Sequence, residues 1–109
     1  MNEMSLDDLI KITEIPLLVK FSAVWCAPCK AVQPVLEDLA TEWEGDIDFW
    51  EVDCDEDPET ATAWRVRSIP TIILIDTDGT ELERVTGAQD RGSLLEMLYR
   101  HFEDGTEED

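Results

Sequence analysis

Residues 17–30 read LLVKFSAVWCAPCK, an apolar run that passes directly into two cysteines separated by two residues. Leu17, Val19 and Phe21 alternate with Leu18, Lys20 and Ser22, which predicts a buried strand with one charged intruder, Lys20. Beyond the cysteines, Val32, Leu36, Leu39 and Trp43 recur at helical spacing, so a helix runs to about Glu44 and is closed by Gly45. Pro34 lies inside that helix and should kink it. The cysteines therefore fall where a strand hands over to a helix. At the helix start Cys26 meets unpaired backbone N–H groups and the positive end of the dipole, both favouring thiolate. Pro28 is tolerated in the first turn, where its missing N–H would be unsatisfied anyway. Cys29, one turn on, can close a small disulfide with Cys26 and is the more buried of the two. The pattern assigns Cys26 as attacking thiolate and Cys29 as resolving thiol in thiol–disulfide exchange.

Working outward, Ser5 can cap a helix over 5–13 that puts Leu6, Leu9 and Ile10 on one face. Ile47 to Cys54 reads as a second strand, with Ile47, Phe49 and Glu51 on one side and Trp50, Val52 and Cys54 on the other. A short helix follows over Pro58 to Trp64. Ile69 to Ile75 is a β-branched third strand with Pro70 at its start, Asp76 to Gly79 a hairpin turn, and Thr80 to Thr86 an edge strand. Asp90 can cap a last helix that buries Leu94, Leu95, Leu98 and Phe102, and 103–109 is an acidic tail. A parallel strand pair joined through a helix and followed by a hairpin implies an α/β fold around a mixed sheet, in one domain over 1–109.

The 109 residues carry 27 Asp and Glu against 8 Lys and Arg, a net charge of −19, which disfavours phosphate backbones and anionic lipid as partners. No apolar run approaches the roughly 20 residues that cross a bilayer. The start, MNEMSLDDL, has neither the basic nor the apolar region of a secretory signal, so a cytoplasmic setting is expected. Three cysteines do not make a disulfide framework, and in a reducing compartment they are buried, metal-bound or redox-active.

Taken alone, Cys26-x-x-Cys29 leaves a rival open. A structural zinc site needs four ligands, and only Cys54 and His101 remain as candidates, on different elements. Cys54 reads as a small apolar residue in the core, with an accessible thiol as the sharper alternative. His101 reads as a surface residue without a role. Asp53-x-Asp55-x-Asp57 opens like a calcium loop, but Pro58 stands where that loop needs Gly and Trp64 where it needs Glu. Trp43, Trp50 and Trp64 read as packing residues and Trp25 as exposed and functional.

FSAVWCAPCK, the internal Pro34, VDCDEDPETA, VRSIPT and the late Gly87-Ala88 together resemble the thioredoxin family over about Leu6 to Phe102. The resemblance implies a thioredoxin fold, a four-stranded mixed sheet flanked by four helices. It implies that Pro70 is a cis-proline beside the cysteines, between Ile69 and Thr71. It also implies a client groove formed by Trp25, Ala27, Pro28, Ile69, Pro70, Thr71, Gly87 and Ala88, where an extended segment docks by main-chain hydrogen bonds. It further implies no bound cofactor and no metal, reduction by a thioredoxin reductase, oxidised client proteins as substrates, and a monomer.

Four departures from the family pattern carry information. Ala27-Pro28 replaces Gly-Pro, which favours a reductant with a somewhat altered poise. Lys20 stands where the family places a buried acid, and Glu51 where it places the neighbouring lysine, so the charges are exchanged. By strand parity Lys20 and Glu51 share a sheet face, and a buried ion pair is expected. On one reading Glu51 accepts the Cys29 proton and Lys20 favours thiolate; on the other the swap is only structural and water takes the proton. Ser22 replaces an aromatic residue, so the space beside the motif should be less filled. Too little chain precedes Ser5 for the family's short N-terminal strand, which leaves the strand order 47–54, 17–22, 70–75, 80–86 with 47–54 as an edge.

The function expected is a protein-disulfide reductase. The alternative is a non-catalytic module that uses the same fold to bind a partner or support a polymerase. Most acids are expected on helix faces, the 53–57 loop and the tail, away from the groove around Trp25 and Ile69, a surface that fits adaptation to high salt.

Overall fold

The computed structural model describes residues 5–102. Along the chain lie α1 (Leu6–Ile12), β1 (Leu17–Ser22), α2 (Ala27–Glu42), β2 (Asp48–Asp53), α3 (Pro58–Ala63), β3 (Thr71–Ile75), β4 (Glu81–Thr86) and α4 (Arg91–His101). The acidic tail expected over 103–109 lies outside the described residues. Among the described residues the sheet has the order β2-β1-β3-β4. β1 and β2 run parallel across the α2 crossover, and β3 lies antiparallel to both β1 and β4.

Local chemistry sets the ends of these elements. The Ser5 hydroxyl accepts from Asp8 N at 3.1 Å, and the Asp90 carboxylate accepts from Ser93 N at 2.8 Å, each meeting a helix donor that has no internal partner. Asp57 caps α3 in the same way through Thr60 N. α3 closes with Val66 N donating to Ala61 O and Arg65 N to Thr62 O. That closure places Arg65 at φ 59°, in the left-handed region that glycine usually occupies after a helix. The Arg84 guanidinium holds the turn by donating to Trp64 O at 2.7 Å. Pro34 removes one hydrogen bond from α2, yet the helix continues across it.

The alternation in β1 sorts the core into two layers. Leu18 packs with Val32, Leu36 and Leu39 of α2, with Trp43 at its C-cap, and with Leu94, Met97 and Leu98 of α4. Leu17, Val19 and Phe21 face the other way, against Leu6 of α1, Ala61 of α3 and Val52. All six β1 residues are buried, and so are all five of β3, because these strands are central. Each fully buried aliphatic or aromatic side chain contributes about 1.5–3 kcal/mol, which is what anchors a sheet with helices on both faces.

Three expectations about packing change. β3 begins at Thr71, with Ile69 and Pro70 forming the approach to it. In α4 Met97 is buried while Leu95 is only half-buried, because the helix turns its 94–97–98 stripe to the sheet. Trp50, read as a packing residue, is 37% exposed, because β2 is an edge strand and its outward positions meet solvent.

Candidate redox site

At the C-terminal end of β1 the chain makes one tight turn, with Cys26 N donating to Ala23 O at 3.1 Å, and enters α2. Cys26 is the N-cap: its sulfur accepts from Cys29 N at 3.2 Å, and the two cysteines are joined as a disulfide with Cα atoms 5.2 Å apart. Pro28 falls in the first turn, as its missing donor requires. Both cysteine residues are largely buried and pack with Ala23, while Ile69 closes over them from the opposite loop. The Ile69–Pro70 bond is cis. Thr71 Oγ1 donates to Ser68 O at 2.6 Å, and Gly87 N, at φ 87°, donates to Pro70 O at 2.8 Å. The fold thus draws 25–29, 69–71 and 87–88 to one end of the sheet, with Trp25, Ala27, Pro28 and Ala88 exposed around the disulfide.

Trp25 is 67% exposed, and its indole N–H donates to Asp55 Oδ2 at 2.7 Å. This corrects the expectation that the acidic 53–57 loop stands away from the groove. β1 and β2 are parallel neighbours, so the loops that leave their C-terminal ends meet. That adjacency was readable from the strand pairing and is the signal by which Asp55 could have been found.

Behind the cysteines, Lys20 and Glu51 are register partners, with Lys20 Nζ 3.4 Å from Glu51 Oε2. The pair is only half buried. The Lys20 side chain is 6% exposed and that of Glu51 53%, so the expected buried pair is corrected to a buried cation with a carboxylate at the rim. The cause is again the edge position of β2. Lys20 has a second partner that sequence reasoning missed, Gln33 Oε1, which accepts from Nζ. Gln33 precedes Pro34 on the α2 face turned towards β1, a position that could have been screened for a polar residue able to meet the buried ammonium. Ser22 Oγ donates to Glu51 Oε2 at 2.6 Å. A cavity of about 220 Å3 is lined by Cys29, Lys20, Ser22, Gln33, Glu51 and Asp53 among others.

Cys54 is half-buried and lines a shallow depression with Trp25, Val66 and Ile69. Its thiol pKa is pushed up first by burial and then by the carboxylates of Asp53, Asp55 and Asp57, against a hydrogen bond from the Ser22 backbone. His101 Nε2 sits 2.8 Å from Glu83 Oε1. Among the described residues no three His, Cys, Asp or Glu side chains form a metal-ligating group. No helix among them is long and apolar enough to cross a membrane.

A cysteine pair of this spacing, seated on a helix N-terminus at the C-terminal end of a central sheet strand, defines a thiol–disulfide oxidoreductase: as a dithiol it can pass two electrons to another disulfide and re-form its own. The thioredoxin family model matches residues 1–100. Thioredoxins of Staphylococcus aureus strains Mu50, MW2 and N315 are each 46% identical over 85 residues, covering 78% of this chain and 81% of theirs. The chain belongs to the thioredoxin family. It carries the family's thiol–disulfide reductase chemistry, and the non-catalytic alternative is not favoured, because the reactive cysteine pair is retained.

Proposed function

We propose that this chain reduces disulfides of client proteins, with Cys26 attacking, Cys29 resolving, and the Lys20–Glu51 pair handling the proton of the resolving step. In the reduced form the Cys26 thiolate attacks a client sulfur. A Cys26–client mixed disulfide forms, and the other client sulfur leaves as thiolate. The Cys29 thiol then gives its proton to the Glu51 carboxylate through the shared cavity, and its sulfur attacks Cys26. The Cys26–Cys29 bond forms, the client sulfur leaves, and it takes up a proton. The client disulfide has gained two electrons and the protein dithiol has lost them. Lys20 favours the Cys29 thiolate during attack and keeps the carboxylate facing the cavity.

Trp25, Ala27, Pro28, Ile69, Pro70, Thr71, Gly87 and Ala88 form the client groove. A thioredoxin reductase restores the dithiol, and the chain works in the cytoplasm as a monomeric single domain without a cofactor. The observation that carries the proton role is the 3.4 Å approach of Lys20 Nζ to Glu51 Oε2 on the wall of the cavity that Cys29 lines. Glu51→Gln should slow the resolving step by about 10²-fold or more, the lower range for a positioned acid–base group, and Lys20→Met should slow it too. The measurement is release of a chromogenic thiol from a Cys26 mixed disulfide in single turnover. Wild-type rates in both variants would remove the proton role. Turnover of a model disulfide protein that survives Cys26→Ser would remove Cys26 as the attacking thiol, and a wild-type chain that does not turn such a protein over would remove the reductase assignment.

A further inference from the structure

Ser22 is 2% exposed and sits two residues beyond Lys20 on the same face of β1. A hydroxyl so enclosed needs a partner, and Ser22 Oγ finds Glu51 Oε2 at 2.6 Å, the oxygen that also faces Lys20 Nζ. Lys20 in turn is held by Gln33 Oε1. Lys20, Gln33 and Glu51 together make a wall between two spaces. One is the cavity of about 220 Å3 that Cys29, Ser22 and Ala23 also line. The other is a cleft of about 200 Å3 between Leu36 and Ala40 of α2 and Phe49 and Trp50 of β2.

Within this wall Glu51 is the loose member. Its side chain is 53% exposed on an edge strand, and its contact with Lys20, at 3.4 Å, is longer than a good charge-assisted hydrogen bond. A carboxylate so placed gains rotamer freedom and hydration by turning out to solvent, and salt screening weakens its attraction to the ammonium. The short hydrogen bond from Ser22 opposes that turn, because breaking it would leave a buried hydroxyl donor unpaired.

We propose that Ser22 is a positioning residue for the resolving step: its hydroxyl holds the Glu51 carboxylate against the Cys29 cavity, so that the acceptor is in place when Cys29 must lose its proton. The inference rests on the proton role given to Glu51 above. The same carboxylate reaches solvent on its outer side, so the proton it takes from the cavity passes on to bulk water, and the acceptor is ready for the next turnover. Ser22 acts through its hydrogen bond to Glu51.

The test follows release of the chromogenic thiol from the Cys26 mixed disulfide of the full chain across pH, in wild type, Ser22→Ala, Ser22→Thr, Glu51→Gln and the Ser22→Ala/Glu51→Gln double variant. Ser22→Ala should slow resolution at neutral pH on the order of tenfold, a fraction of what a positioned acid–base group contributes. It should rejoin wild type at alkaline pH, where hydroxide takes the thiol proton directly and no positioned acceptor is needed. Ser22→Thr, which keeps the hydroxyl, should restore most of the rate. In the Glu51→Gln background Ser22→Ala should have no further effect. The rate of the first attack by Cys26 should not change in either serine variant, which separates positioning from general damage to the fold.

A slow Glu51→Gln with a wild-type Ser22→Ala overturns the role of Ser22 and leaves that of Glu51. A wild-type Glu51→Gln overturns both. A Ser22→Ala defect that persists at alkaline pH, or that adds to Glu51→Gln, also overturns the proposal, because either result makes Ser22 a packing residue.

Discussion

Cys54 shows how neighbours decide what a residue can do. It lies in the same depression as Trp25 and Ile69, yet burial and the carboxylates of Asp53, Asp55 and Asp57 all push its pKa up, so it remains a thiol where a nucleophile would need to be thiolate. With the Cys26–Cys29 disulfide intact, alkylation of Cys54 by iodoacetamide should be slow at neutral pH. It should still be accelerating with pH above the ordinary thiol range, and Cys54→Val should keep disulfide-reductase turnover. Rapid labelling at neutral pH would show an accessible reactive thiol. The strand parity that put Cys54 on this face, and Lys20 opposite Glu51, was legible in the sequence because side chains alternate along a strand. The exposure of Glu51 was not, since parity gives a face and says nothing of how far an edge strand opens to water. Gln33 escaped for a related reason: a buried lysine announces a need for a partner, but only the packing of α2 on β1 shows which residue answers it.

Elements were the most readable level. Polar caps, the Gly45 and Gly79 turns and the two periodicities placed all eight, with errors of at most two residues where the last turn or the first bridge depends on tertiary contacts. The ion pairs, within one strand or between elements, were not readable. Glu81 on β4 accepts from Arg84 at 2.6 Å, and Glu83 accepts from Arg100 of α4, also at 2.6 Å. Those hydrogen bonds are the leading reason that both carboxyls lie below the ordinary value of 4.5, with burial opposing. A carboxyl whose pKa is lowered on folding binds fewer protons than it does in the unfolded chain. The stability it adds is therefore present above about pH 4.5 and is lost as pH falls through the lower folded value. Glu81→Gln should cost about 0.2–1 kcal/mol near neutral pH, the range of partly exposed pairs, and nothing well below pH 4.5. Urea unfolding of wild type and variant at the two pH values measures this, and an equal loss at both would show that the pair is not the source.

For the whole molecule, −19 charges on 109 residues make self-repulsion a global cost of compactness. Raising KCl from low to molar concentration shortens the Debye length from tens of ångströms to about 3 Å, so the melting temperature should rise. Each ~1 kcal/mol of repulsion relieved is worth about 4–8 °C in a domain of this size, and a melting temperature flat in salt would count against the argument. The charge count is a property of composition, as legible before folding as after. The sequence by itself determined the element order, the faces of each strand and the placing of the reactive cysteine pair at a strand-to-helix junction, because these follow from periodicity and capping along a few neighbouring residues. Only the tertiary structure decided that the acidic loop reaches Trp25, that the edge strand β2 leaves Glu51 half in water, and that Ser22 and Gln33 hold the two charges. Those facts depend on which loops and strands become neighbours in space, and no local pattern carries them.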